Sequence, residues 1–169
     1  MLVIRHCQDS SDYSSAAQLA AELAEWDMAE TQKLGISSDE MNRFYYPDSL
    51  ELPGTSSAVL GVMLLALSDS MPAACIGYRQ LRPQECEMKR LYVRPSFRGT
   101  GLGKTMIASL VKFAATAGYS RMWLETARFM RSAMALYEQA GFVTCAPYYE
   151  VPDVFREVSV FMRKDIAAT

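Results

Sequence analysis

The chain has little histidine and no cysteine pair at metal-binding spacing. Of its 169 residues, one is histidine, His6, and the four cysteines show no C-x-x-C pattern. This donor set is too sparse for a zinc site, so we expect no metal. We interpret the cysteines as reduced, mostly buried thiols and His6 as a structural residue.

An excess of positive charge and a long hydrophobic run are also missing. Lysine and arginine number 17 against 19 acidic residues, which gives a net charge of -2. Nucleic-acid-binding proteins usually carry a basic face, so we expect no nucleic-acid partner. The longest apolar run, Ala58 to Leu67, is too short to cross a bilayer. Without a leading basic and apolar signal, we expect a cytoplasmic protein with no membrane partner.

A strand, a glycine-rich turn and a helix start follow one another in the middle of the chain. The strand pattern of residues 86–93 stops before Pro95, and residues 99, 101 and 103 are glycines flanked by Arg98 and Lys104. Backbone N–H groups at a helix N-terminus are unpaired and carry partial positive charge, and glycine lets a phosphate approach closely. The stretch therefore predicts a phosphate-binding loop.

Two common phosphate motifs do not fit this loop. A Walker A motif would end on Gly103-Lys104-Thr105, but its first glycine would fall on Arg98. A dinucleotide-binding fingerprint needs Gly-x-Gly-x-x-Gly, and here the third glycine comes one residue early.

A third motif fits without adjustment. Residues 98–103 resemble the [Gln/Arg]-x-x-Gly-x-[Gly/Ala] signature of the GNAT N-acetyltransferase superfamily, in which this loop cradles the pyrophosphate of acetyl-CoA. Residues 89–95 resemble the central strand of that family and its exit. Residues 133–142 resemble its later helix, with the pattern Ala-x-x-Leu-Tyr-x-x-x-Gly-Phe. The resemblance covers about residues 57 to 165 and implies acetyl-CoA as cosubstrate.

The length predicts a single domain over residues 1–169. The resemblance implies acceptor-side helices in 1–56 and an acetyl-CoA-binding core in 57–165. Helical spacing predicts helices over 12–28 and 37–44, and we expect the apolar stripe of the first to pack in the core. Three strands are expected next, at 58–67, 73–81 and 86–93. A helix capped by Gly118 follows the glycine loop, and a strand at 122–126 is expected to run parallel to the central strand. A helix at 132–140 and strands at 142–145 and 158–163 are expected to follow. The predicted fold class is α+β: a mixed, mostly antiparallel sheet of six to seven strands with about four helices. The resemblance adds a splay between the central strand and its parallel neighbour.

The resemblance also implies which residues contact the cosubstrate. Loop amides would face the pyrophosphate, and the end of the central strand would pair with the pantetheine arm through its backbone. The set comprises Leu91, Tyr92, Val93, Arg98, Gly99, Thr100, Gly101, Leu102, Gly103, Lys104, Thr126 and Met130. Met130 stands where many relatives carry an asparagine.

Two catalytic residues are implied in the same way. Tyr137 corresponds to the tyrosine of the family that points its hydroxyl at the CoA sulfur and can protonate the departing thiolate. Glu87 lies on the central strand, where family members often carry a glutamate as general base. By strand alternation it is expected to share a face with Leu91 and Val93. Glu125, at the end of the next buried strand, is the other candidate base.

The acceptor is less specified. Between Asp9 and Pro53 there are ten acidic residues and two basic ones, which favours a cationic acceptor. Four tyrosines could wall its pocket: Tyr45, Tyr46, Tyr148 and Tyr149. The main hypothesis is an acetyl-CoA-dependent N-acetyltransferase that acts directly on a small amine. A non-catalytic acyl-CoA sensor and a protein N-acetyltransferase remain alternatives, and a homodimer stays open.

Overall fold

The computed structural model describes residues 1–47, 51–55 and 60–166 of the chain, and these residues form one sheet of seven strands with helices on both faces. The strands are β1 (Leu2–His6), β2 (Gly61–Ser68), β3 (Met71–Arg82), β4 (Glu85–Val93), β5 (Arg121–Ala127), β6 (Val143–Cys145) and β7 (Ser159–Asp165). The helices are α1 (Ser10–Gln32), α2 (Ser38–Phe44), α3 (Leu102–Thr116), α4 (Arg131–Gln139) and α5 (Asp153–Arg156).

The strand order is β1-β2-β3-β4-β5-β7-β6, and every neighbouring pair is antiparallel except β4 and β5. Helix α3 connects β4 to β5, because a crossover is needed to bring two consecutive strands parallel. The predicted mixed sheet, the antiparallel meander of β2 to β4 and the parallel neighbour are all confirmed.

Local side-chain chemistry fixes where the first two helices begin. The carboxylate of Asp9 accepts a hydrogen bond from the Asp12 amide at 2.9 Å and so caps α1. Ser37 and Glu40 form a reciprocal capping box at the start of α2. Helix α1 runs to Gln32, about one turn beyond the predicted end.

Some element boundaries differ from the sequence prediction. Strand β3 begins at Met71, so Pro72, predicted as part of the turn, already lies opposite Leu67 in the ladder. A proline is tolerated there because the register is irregular between Ala66 and Leu67. Helix α5 was not predicted and adds a fifth helix to the four that were expected. The first residues of the predicted strand 58–67, and the predicted boundary between 56 and 57, lie outside the described residues.

The core is divided between the two faces of the sheet. On one face, α3 and α4 cover a large apolar cluster that includes Leu64, Met106 and Leu124. On the other face, α1 packs over Met63 and Leu65 of β2. Helix α2 and the segment between β6 and β7 enclose a third cluster on Met41, Phe155 and their neighbours. The cysteines are free, and Cys7, Cys75 and Cys86 are buried as predicted, whereas Cys145 is only partly so.

Candidate active site

Strands β4 and β5 separate part-way along their length. Their pairing ends at Glu87, opposite Trp123. Beyond this point β4 continues to pair with β3 as far as Val93, and β5 continues to pair with β7 as far as Ala127. In the described residues the facing edges therefore carry backbone groups with no strand partner, which an extended ligand can use.

A β-bulge at Arg90 bends β4 at the opening. Lys89 lies opposite Gly77 and Tyr92 lies opposite Cys75, so two residues of β4 face one residue of β3. The extra residue is accommodated by Arg90, whose φ is 59°, in the left-handed region.

The bulge overturns one sequence prediction. Strict alternation placed Glu87 on the face of Leu91 and Val93. The extra residue reverses the alternation, so Leu91 and Val93 pack with Met88 in the large apolar cluster instead. Glu87 and Lys89 stay together on the other face, where they form an ion pair at 2.9 Å.

The glycine loop has the geometry of an anion site. Gly99 and Gly101 have φ values of 75° and 84°, and Gly101 is the N-cap of α3. The first intrahelical bond runs from the Thr105 amide to the Gly101 carbonyl at 3.1 Å. Within the described residues, no acceptor is recorded for the six amides from 99 to 104. Unpaired N–H groups at a helix N-terminus, reinforced by the helix dipole, are able to bind an anion.

A groove of about 510 Å³ extends from this loop to the splay, and we call it the outer groove. Ten of the predicted cosubstrate residues line it: Leu91, Tyr92, Val93, Arg98, Gly99, Gly101, Leu102, Gly103, Lys104 and Met130. The guanidinium of Arg98 folds back along the loop, because its Nε donates to the Val93 carbonyl at 2.9 Å. The structure thus brings together most of the residues predicted from the loop motif.

Two predicted residues lie elsewhere. The Thr100 hydroxyl turns back into the loop and donates to the Phe97 carbonyl at 2.7 Å, and Thr100 does not line the groove. Thr126 lines a second cavity and donates to the sulfur of Met130 at 3.5 Å.

Part of the wall of the outer groove was not predicted. It includes Leu23 and Trp26 of α1, whose apolar stripe was expected to pack in the core. Trp26 contacts Phe129, which also lines the groove, with ring centroids 5.9 Å apart. The helical spacing of Leu23 and Trp26 indicates an apolar helix face. It cannot show whether that face packs in the core or lines a ligand groove, because both surfaces are apolar.

A second cavity of about 130 Å³ lies beyond the splay, and we call it the inner cavity. It shares five lining residues with the outer groove: Leu23, Leu91, Phe129, Met130 and Ala133. The two spaces therefore meet beside Leu91, within the part of β4 that has no pairing with β5.

Tyr137 lies on the wall of the inner cavity. Its ring packs against Phe142 at 6.0 Å, and in the described part of the chain its hydroxyl makes no recorded hydrogen bond. Burial raises the pKa of Tyr137 above its ordinary value. The phenol is therefore protonated at neutral pH and its O–H is available to a ligand.

Glu87 is 1% exposed and lines neither space. Its carboxylate contacts Arg79 Nε at 2.7 Å and Lys89 Nζ at 2.9 Å, and it accepts a hydrogen bond from the Tyr148 hydroxyl at 2.7 Å. Burial opposes its ionisation, but the charges of Lys89 and Arg79 and the Tyr148 hydroxyl together lower its pKa.

Glu125 does line the inner cavity. Three hydroxyls donate to its carboxylate: Tyr45 at 2.5 Å, Tyr149 at 2.5 Å and Ser159 at 2.7 Å. These donors come from the end of α2, the segment after β6 and the start of β7. Glu125 therefore connects these three segments. Of the four tyrosines expected to wall the acceptor pocket, Tyr45 and Tyr46 line the inner cavity, whereas Tyr148 and Tyr149 do not.

The profile of the acetyltransferase (GNAT) family matches residues 20–142. The chain belongs to this family. An uncharacterised N-acetyltransferase of Schizosaccharomyces pombe is 37% identical over 111 residues, which are 63% of this chain and 65% of that protein. A ribosomal protein bS18-alanine N-acetyltransferase of Haemophilus ducreyi is 33% identical over 81 residues, 46% of this chain and 56% of that one. Each match thus spans less than two thirds of the curated relative.

Solved structures match over the whole chain. A Klebsiella pneumoniae protein assigned as an acyl-CoA N-acyltransferase has a TM-score of 0.73 and 25% identity, with 99% of each chain covered. A Salmonella typhimurium protein solved with acetyl-CoA has a TM-score of 0.68 and 17% identity, with 99% of this chain and 95% of that one covered. The fold of this GNAT chain is therefore that of its structural neighbours.

Among the described residues of this GNAT protein, no group of three or more metal-ligating side chains comes together, and no helix is long and apolar enough to span a membrane.

Proposed function

We propose that this GNAT protein is an N-acetyltransferase that transfers the acetyl group of acetyl-CoA directly to the amine of a small molecule. The observation that carries the proposal is the meeting of two spaces at one point. The outer groove leads from an anion-binding loop to Leu91, and the inner cavity begins there with an uncommitted phenol and a carboxylate on its wall.

Binding of acetyl-CoA falls to the loop and the splay. The amides of residues 99–104 face the pyrophosphate, and Lys104 and Arg98 add positive charge at the same end of the groove. The unpaired edge of β4 from Leu91 to Val93 receives the pantetheine arm as an added strand. A backbone N–H on this edge is also the donor that polarises the thioester carbonyl.

The reaction forms a C–N bond and breaks a C–S bond. The amine must be neutral to attack. A neutral amine then loses one proton as it becomes an amide. The departing thiolate must gain one. Tyr137 lines the inner cavity as a protonated phenol, so its hydroxyl is the donor for the thiolate.

Glu87 and Glu125 are the two candidates for the base that takes the proton from the amine. Glu125 lines the inner cavity, whereas the Glu87 carboxylate is separated from it by Lys89 and covered by Tyr148. The geometry therefore favours Glu125 as the carboxylate near the amine, and a role for Glu87 requires a relay through Lys89 or water.

A pH–rate profile separates these candidates. A variant without its base loses most at low pH, where the amine is protonated, and recovers as the pH rises. We expect this behaviour for Glu125→Gln. If Glu87→Gln shows it instead, Glu87 is the base. A loss by the same factor at every pH identifies a positioning residue.

The small volume of the inner cavity, about 130 Å³, favours a small acceptor over a protein chain. Tyr45 and Tyr46 line this cavity, whereas Tyr148 and Tyr149 lie outside it and donate to Glu87 and Glu125. One curated relative is named for acetylating an alanine of a ribosomal protein, so a peptide acceptor is the competing candidate.

An acceptor screen tests the proposal. Release of free CoA thiol from acetyl-CoA is measured with a panel of small amines and with a short peptide that has a free N-terminus. We expect turnover with small amines. Binding of acetyl-CoA without turnover by any acceptor would indicate the sensor, and turnover of the peptide alone would indicate the protein acetyltransferase.

A further inference from the structure

The inner cavity is lined by charges of both signs. Asp27 and Glu125 are acidic, and Lys89 and Arg90 are basic. This differs from the acidic rim expected from the sequence, which favoured an acceptor with positive charge alone. The following inference concerns this cavity and rests on the proposed function.

Asp27 and Arg90 are occupied by the fold. The Arg90 guanidinium donates to the Tyr45 carbonyl at 2.9 Å and lies over the Tyr46 ring at 4.5 Å. Asp27 accepts a hydrogen bond from the Tyr46 hydroxyl at 2.7 Å. Both side chains thus hold Tyr45 and Tyr46 in the wall, and their opposite charges balance.

Glu125 is different, because its partners are neutral. All three groups that donate to it are hydroxyls, and the described residues place no cation within ion-pair distance. Oε1 accepts from Tyr45 and Ser159, whereas Oε2 accepts from Tyr149 alone. A carboxylate offers about four acceptor positions, so Oε2 keeps one position for a ligand.

Lys89 carries positive charge that its partner Glu87 does not fully neutralise. The Glu87 carboxylate is already bound by Arg79 at 2.7 Å and by the Tyr148 hydroxyl at 2.7 Å, so two cations share one carboxylate. An ammonium has three N–H donors. In the described residues only Glu87 is recorded as a partner of the Lys89 ammonium. The side chain of Lys89 is 29% exposed, so the ammonium can reach a further anion.

These two groups act in the same space. Burial lowers the pKa of Lys89, and the charge of Glu125 as well as that of Glu87 opposes this effect. An acceptor with several positive charges would bring one of them against Lys89 or Arg90, and this repulsion costs more in a partly buried cavity than in bulk water.

We propose that the acceptor is a small zwitterion of the amino-acid type, with its amine at Glu125 and its carboxylate at Lys89. The apolar lining supplies room for its side chain, chiefly Leu23, Met41, Phe129 and Phe155. This placement sets the amine in the cavity that Tyr137 and Leu91 also line.

Matched acceptors test the assignment. Leucine is compared with leucinamide and with 3-methylbutylamine, and phenylalanine with phenylalaninamide and phenethylamine. Each set keeps the amine and side chain and changes only the carboxylate. Initial rates of thiol release give kcat/KM. A charge-assisted hydrogen bond predicts that the amino acid is favoured by about 10- to 100-fold.

The variants identify the residue. Lys89→Met should lower kcat/KM for the amino acid by a much larger factor than that for the decarboxylated amine, so that the preference disappears. Lys89→Arg should keep the preference, because the charge is retained. Lys112→Met is the control, since Lys112 is exposed on α3 away from the cavity. Thermal unfolding of all three shows whether they fold.

The outcomes separate this inference from the proposed function. Turnover that favours the decarboxylated amine or a polyamine such as spermidine overturns the zwitterion and leaves the acetyltransferase intact. An amino-acid preference that survives Lys89→Met overturns the role of Lys89. Absence of turnover with every amine, while acetyl-CoA binds, contradicts both.

Discussion

The guanidinium carbon of Arg90 lies 4.5 Å from the centroid of the Tyr46 ring. The contact joins the bulge of β4, where the sheet opens, to the end of α2, which forms a wall of the inner cavity. The same side chain donates to the Tyr45 carbonyl at 2.9 Å, and Tyr45 in turn donates to Glu125. Arg90 therefore couples the separation of β4 and β5 to the position of the Glu125 carboxylate in the inner cavity.

Arg90→Lys should weaken this coupling. Lysine keeps the charge but loses the planar contact with Tyr46, so we expect a loss of about 1–2 kcal/mol in the free energy of unfolding. KM for the amine should rise more than that for acetyl-CoA, because the outer groove is not altered. Urea unfolding and steady-state kinetics measure the two effects. Arg43→Lys, at an exposed position of α2, is the matched control. Equal changes in both KM values would contradict the coupling.

Gly101→Val should impair acetyl-CoA binding. Gly101 has a φ of 84° at the start of α3, a conformation that costs a side-chain-bearing residue about 1–2 kcal/mol. The loop shifts to relieve this strain, and the loop amides move with it. If one or two charge-assisted hydrogen bonds from these amides to the pyrophosphate are lost, the affinity for acetyl-CoA falls about tenfold or more. Calorimetric titration with acetyl-CoA measures the effect.

Gly118→Val provides the control at the other end of the same helix. Gly118 has a φ of 87° and also has open space around its Cα, so the backbone strain is similar. We expect a comparable loss of stability with unchanged affinity for acetyl-CoA. If both variants bind acetyl-CoA as the wild type does, the phosphate site is not at this loop.

Tyr137→Phe should lower kcat and leave acetyl-CoA affinity nearly unchanged. The substitution removes only the hydroxyl, and general-acid catalysis is worth about 10²- to 10⁴-fold. An acyl donor with a more acidic leaving thiol should be less affected, because its thiolate needs less help. Tyr119→Phe, at a tyrosine that packs on Tyr78 away from both spaces, is the control. A wild-type kcat, or an equal loss with both donors, would leave Tyr137 as a packing residue.

We expect Glu87 to make a pH-dependent contribution to the free energy of unfolding. Its pKa is lowered in the folded protein, so the contribution is present above the unfolded-state pKa of about 4.3 and is lost as the pH falls through the folded value. Glu87→Gln should therefore cost about 1–3 kcal/mol near neutral pH, and the difference from the wild type should shrink below about pH 4.

Urea unfolding at several pH values measures this difference for Glu87→Gln. Glu138→Gln, at an exposed position of α4, should show almost none. A difference for Glu87→Gln that stays constant down to pH 3 would mean that the ion pairs of Glu87 add nothing to stability.

The local signals in the sequence predicted much of the core of this molecule. The glycine loop, the parallel neighbour of β4 and the positions of most groove residues follow from short motifs and strand patterns. The bulge at Arg90 could not be predicted, because only the pairing with β3 creates it, and it reversed the face assigned to Leu91 and Val93.

The acceptor side depends on contacts between residues far apart in the chain. Tyr45 reaches Glu125 across 80 residues of sequence, and Tyr148 reaches Glu87 across 61. No local pattern indicates which carboxylate each tyrosine binds. The positive charge of Lys89 is not fully neutralised by Glu87, because Arg79 shares that carboxylate, and no sequence pattern indicates this arrangement.

A single-turnover experiment tests direct acetyl transfer most directly. Wild-type enzyme in excess is mixed with acetyl-CoA and the best acceptor from the screen, and CoA thiol, acetylated acceptor and intact protein mass are followed together. We predict one N-acetyl product for each thiol released, with no acetyl group on the protein at any time. Thiol release without the amide, or an acetylated protein that precedes the product, would contradict direct transfer at this site.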